Sequence, residues 1–150
     1  MLENLRELYQ EVVFDHNRNP RNFRAIEDAD RKIEGFNPLC GDRITLYLKL
    51  DGDHIADIGF QGQGCAISTA SASLMTELVK GKTLDEAEKL FAAFHRIVTG
   101  QDDSLKLEEL GKLAVLAGVR QYPSRIKCAT LPWHSLEAAI KGEAETVSTE

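Results

Sequence analysis

Polar and apolar positions alternate in two rhythms along this 150-residue chain. Over residues 2–17, Leu5, Leu8, Tyr9, Val12 and Val13 recur at the three- and four-residue spacing of one helix face. Asn17, Pro20 and Asn22 then supply turn chemistry and an irregular connection. RKIEGF (31–36) reads as a short strand. In DRITLYLKL (42–50) the period falls to two: Ile44, Leu46, Leu48 and Leu50 alternate with Thr45, Tyr47 and Lys49. Asp51, Gly52 and Asp53 predict a turn. HIADIGFQG returns as a second strand, with Ala56, Ile58 and Phe60 on its inner face.

GQGC (62–65) breaks the strand, and the helical period resumes. AISTASASLMTELVKG predicts a helix ending near Gly81, with small residues that allow close packing. TLDE (83–86) is a capping box, Thr83 capping and Glu86 reaching back. The helix behind it buries Leu84, Ala87, Leu90, Phe91, Phe94, Ile97 and Val98, and Gly100 stops it. QDDS (101–104) is a polar loop, and a further helix runs from Leu105 to about Leu116. Proline is tolerated in a first helical turn but not in an interior, so Pro132 places the start of the last helix near Ala129 to Leu131. The elements predict an α+β fold: a small antiparallel sheet of about three strands, helices packed on one face, cysteine loops meeting at one end. One domain over 1–142 is expected, with a disordered tail over 143–150.

Composition narrows the function. A hydrophobic content of 43% and a charged content of 28% suit a globule with a core. The net charge of -6 disfavours nucleic acid as a partner. No apolar run is long enough to span a membrane. MLENLRELYQEVVF lacks the layout of a signal peptide, so a cytoplasmic protein is expected.

Cys40, Cys65 and Cys128 are an odd number, without a CxxC pair. Buried thiols, reactive thiols and metal ligands all remain open on spacing alone. Cys65 and Cys128 both fall at expected helix starts, where free N–H groups favour thiolate. Asp42, in NPLCGDR (37–43), is either a turn residue or a ligand from the same loop as Cys40. His16, His54, His95 and His134 have no ligand spacing to a cysteine and read as structural or surface residues, with His16 also considered for a docking surface. The helix serines read as packing residues and Trp133 as a core anchor.

NPLCGD (37–42), GQGCAISTASASLM (62–75), RIKCATLPW (125–133) and DHNRNPRNF (15–23) together resemble the U-type iron–sulfur assembly proteins, from the first helix to about Gly142. The resemblance is closer to the SufU-like than to the IscU-like branch. Lys127 stands where the IscU-like scaffold branch carries a histidine before the third cysteine. The 62 residues between Cys65 and Cys128 also exceed that branch's separation, the excess lying around residues 96–118. QYPSRIK replaces its chaperone-docking segment.

The resemblance implies a zinc-dependent sulfurtransferase that accepts persulfide sulfur from a SufS-type cysteine desulfurase and serves downstream iron–sulfur scaffold proteins. It implies Zn2+ held by Cys40, Asp42, Cys65 and Cys128, a donor set that suits tetrahedral zinc. Cys40, beside Gly41, is the expected acceptor; a histidine of the desulfurase is taken to displace it from the metal while Asp42 stays. Arg125 is the expected cation near the thiolates. The alternatives are an IscU-type scaffold holding iron or a [2Fe–2S] cluster, and a non-catalytic zinc-stabilised activator of the desulfurase.

Overall fold

The computed structural model describes residues 2–38, 40–99, 116, 118–119, 122–142 and 146–148. Helix α1 spans Leu2–Arg18. Strands β1 (Arg31–Asn37), β2 (Asp42–Asp51) and β3 (His54–Gln63) follow as an antiparallel meander. Helices α2 (Ala66–Val79), α3 (Leu84–Val98) and α4 (Ile126–Lys141) complete the main body, and a 3-10 turn, Pro123–Arg125, leads into α4. The fold is α+β, as the alternation of periods implies.

The β2 pattern explains why the helices lie on one side. Asp42, Ile44, Leu46 and Leu48 are buried, while Thr45 and Tyr47 are only half-covered. Helix α4 packs on β1 and β2, α2 lies between α1 and α4, and α3 leans on α4. Trp133 is fully buried among Leu131, Leu136 and Phe94, its ring 5.3 Å from that of Phe94.

Three details depart from the sequence pattern. In β3 the register shifts after Lys49–Asp57 to Leu50–Ile55, leaving Ala56 unpaired as a bulge. The bulge turns Ile55 inward and Ala56 outward, the reverse of the expected face for Ala56. The last helix starts at Ile126, earlier than Pro132 suggested, and Pro132 lies inside it. Packing keeps α4 continuous: Pro132 and its neighbours are buried, and the Ser71 hydroxyl donates to the Ala129 carbonyl at 2.5 Å. Thr146–Ser148, within the segment expected to be disordered, form a short strand, β4, parallel to β1. Its main chain pairs the edge of β1 that would otherwise be open, giving the order β3-β2-β1-β4.

The capping box forms as read: Thr83 Oγ1 accepts from Glu86 N, and Thr83 N donates to Glu86 Oε1. The helix expected over 105–116 lies outside the described residues except Leu116, which is buried. Gly100 and the loop at 101–104 also lie outside them. No helix among the described residues is long and apolar enough to cross a membrane.

Candidate metal centre

The β1–β2 hairpin builds the first half of the site. Asn37 and Asp42 are the last paired residues of the ladder, and Pro38, Cys40 and Gly41 lie in the loop beyond it. Gly41 closes that loop at φ +71°, a left-handed conformation that suits glycine. Cys40 is carried at the tip, half-buried, while Asn37 and Asp42 point into the core.

The second half comes from two helix starts. Cys65 is the N-cap of α2, and its sulfur accepts the Ser68 N–H at 3.4 Å. Cys128 lies in the first turn of α4 and is fully buried. Both positions agree with the expectation of cysteines at helix starts, although α4 begins earlier than expected.

Cys40, Asp42 and Cys128 are brought together: one ligand atom from each lies within 4.8 Å of the other two. The sulfurs of Cys40 and Cys128 are 3.3 Å apart, and all three cysteines are free thiols. Cys65 stands just outside this mutual set. It is tied to it by its main-chain N–H, which donates to Asp42 Oδ1 at 2.8 Å, and by contact between its thiol and that of Cys128.

Electrostatics separates the sulfurs. The Cys65 thiol is pushed down to about 6, first by its hydrogen bond with Cys128 and further by the Ser68 N–H, against the opposing effect of burial. The same contact with Cys65, then burial and the neighbouring Asp42, push Cys128 far up. Arg125, exposed at the end of the 3-10 turn, directs Nη1 to Cys40 Sγ at 3.5 Å. Its guanidinium is raised further above its ordinary value, by Cys128 first and then by the charge of Cys40. Lys127 is exposed.

The donors suit a metal ion. A tetrahedral zinc–thiolate site, with Zn–S near 2.3 Å, separates its sulfurs by about 3.8 Å. Cys40 and Cys128 are slightly closer than that, and a carboxylate is already within reach. A buried carboxylate beside a buried thiol is also an arrangement that a cation stabilises.

Two residues inside the quoted motifs, with no role assigned to them from sequence, hold these donors. Asn37 Nδ2 donates to Asp42 Oδ2 at 3.0 Å and to Cys128 Sγ at 3.3 Å. Gly64 leaves room for Asp42: a Cβ there would meet Asp42 Oδ1 at 2.9 Å. Both lie in the motifs NPLCGD and GQGC, but their side-chain chemistry alone does not mark them as supports for a metal.

The four histidines stay away from this cluster. His16 is buried, which removes it from any docking surface; its Nδ1 shares a hydrogen bond of 2.7 Å with Ser73 Oγ. Ser73 also accepts from Arg21 N, so the DHNRNPRNF segment is fastened to α2. His54 opens β3, and His95 and His134 lie together beside Phe91.

Residues 8–129 match the NifU-like N terminal domain. The chain belongs to that family. Within it, the chain is a SufU-like member of the IscU/SufU group of iron–sulfur cluster assembly proteins. It is 45% identical to the zinc-dependent sulfurtransferase SufU of Bacillus subtilis, over 93% of this chain and 94% of that one. It is also 45% identical to the iron–sulfur cluster assembly scaffold protein IscU of Streptococcus pyogenes, over 95% and 89%. The crystal structure of FiSufU, from the thermophile Fervidobacterium islandicum AW-1, superposes with a TM-score of 0.83 at 38% identity, covering 89% of this chain and 97% of the other. Relatives in the NifU-like family thus bear both sulfurtransferase and scaffold names.

Proposed function

We propose that this chain is a zinc-dependent sulfurtransferase that moves persulfide sulfur from a SufS-type cysteine desulfurase toward downstream iron–sulfur scaffold proteins. One observation carries the reading: Cys40 is half-exposed on a hairpin tip beside a guanidinium, while Asp42 and Cys128 are buried behind it. Cys40, Asp42 and Cys128 would hold the metal, and Cys65 would complete the set by turning its sulfur from the Ser68 N–H. Bound zinc would supply positive charge that keeps the sulfurs as thiolates, with no redox change of its own.

The chain's own residues then account for transfer. The Cys40 thiolate attacks the outer sulfur of the donor's persulfide. A new S–S bond forms at Cys40, the donor's S–S bond breaks, and the donor's inner sulfur leaves as a thiolate. Arg125 faces the anion on Cys40 before and after the step. An acceptor thiolate reverses the exchange and regenerates Cys40. Cys40 stands half-exposed on the hairpin, whereas Cys128 is buried inside α4.

A second reading, a scaffold for a [2Fe–2S] cluster, is favoured by the scaffold name of the Streptococcus pyogenes relative. Lys127 weighs against it, because it stands where the scaffold branch carries a histidine. The test is peptide mass spectrometry after incubating the zinc-loaded protein with a cysteine desulfurase and L-cysteine. One added sulfur on the Cys40 peptide, lost in Cys40→Ser, is expected. Added sulfur on Cys65 or Cys128 alone, or full transfer by Cys40→Ser, overturns the reading.

A further inference from the structure

We infer that Asn37 is a positioning residue that decides which sulfur of the centre is free to react. The inference rests on the sulfurtransferase reading above and assigns a role that reading leaves open: why Cys40 and not Cys128.

Asn37 is fully buried at the end of β1, directly across the ladder from Asp42. A side-chain amide carries two N–H groups. One is directed to Asp42 Oδ2 and the other to Cys128 Sγ, a residue 91 positions away. The other oxygen of Asp42 is held by Cys65 N. Both carboxylate oxygens and the buried sulfur are thus fixed by neutral donors before any ion arrives. Asn37 Oδ1, by contrast, is buried with no hydrogen-bond partner among the described residues. The amide makes both of its contacts with Asp42 and Cys128 as a donor.

A hydrogen bond from N–H to sulfur draws charge from it and restrains it. Cys128 receives such a bond inside the core. Among the described residues, Cys40 receives the exposed Arg125 guanidinium and the neighbouring Cys128 thiol. The amide quiets Cys128, fixes Asp42, and leaves the hairpin sulfur as the one that attacks.

The test uses the full chain loaded with zinc, treated with iodoacetamide and sampled by peptide mass spectrometry. In the wild type Cys40 is labelled first. Asn37→Leu keeps similar volume and removes both donors. It should raise the labelling rate of Cys128 relative to Cys40 by about tenfold, and weaken zinc binding about 10–100-fold in chelator competition. Asn37→Ser retains one small donor and should fall between. Circular dichroism of the zinc-free proteins reports folding, and if Asn37→Leu does not fold, Asn37→Ser decides. Unchanged labelling order and unchanged zinc affinity in the folded variants overturn the inference while leaving the sulfurtransferase reading intact. A wild-type protein that binds no zinc, or labels its cysteines without preference for Cys40, removes both.

Discussion

Asp42 keeps its place because Gly64 has no side chain. Its Oδ1 approaches the α2 start closely enough to accept the Cys65 N–H, and a Cβ on Gly64 would occupy that approach. Gly64→Ala is therefore expected to displace the carboxylate and weaken zinc binding about tenfold or more, as supporting residues around metals commonly do. Chelator competition measures it, and wild-type affinity would contradict it. Residues of this kind divide what a sequence discloses from what it conceals. Cys40, Asp42, Cys65 and Cys128 announce ligand chemistry through their side chains and motifs, and Arg125 announces charge. Asn37 and Gly64 sit in the same motifs but announce no role of their own, because their contributions are contacts made across the hairpin and to a distant helix.

Elements were legible where a local rule governs them. The capping box of α3 needs only four residues and forms as written. The Cys65 N-cap follows equally from a glycine-rich break before a helical period. Pro132 misleads because its cost in a helix interior is local, whereas the burial that overrides it is tertiary. The Ala56 bulge is hidden for a related reason: one unpaired residue leaves the composition of β3 unchanged and alters only the register. The α3 cap offers a control. It lies at the His54 end of the sheet, where His54 bridges to Thr83, while the site lies at the Gln63 end of the same strand. Thr83→Ala should cost about 1 kcal/mol of stability and lower the melting temperature by about 2–4 °C. Zinc affinity should stay at the wild-type value. A large loss of affinity in this variant would show that the two ends are coupled.

At the scale of the whole molecule, the alternating strands and amphipathic helices made the α+β class readable. The approach of Cys40 and Asp42 to Cys128 was not readable from spacing; it was expected from the resemblance of their motifs. The β4 pairing was not readable either, since a three-residue edge strand leaves no period. The packed body also implies a pH response. His134 is partly buried on α4, its ring 5.2 Å from Phe91 and 5.8 Å from His95. Burial first, then His95, lower it below its ordinary 6.5. The unfolded chain therefore takes up the proton first, so this contribution to stability is complete above about 6.5 and is lost as pH falls from there through the folded value. Urea unfolding of the zinc-free protein between pH 7.5 and pH 5.5 should show a steeper loss for wild type than for His134→Gln. Parallel slopes would contradict the assignment.

The central claim is spatial: sulfurs from the hairpin tip and two helix starts, with one carboxylate, surround a single zinc. X-ray absorption at the zinc edge on the zinc-loaded protein tests it most directly. Three sulfurs at about 2.3 Å and one oxygen at about 2.0–2.2 Å are predicted, with one sulfur fewer in Cys40→Ser. A shell of nitrogen and oxygen only, or an unchanged sulfur count in Cys40→Ser, would contradict it.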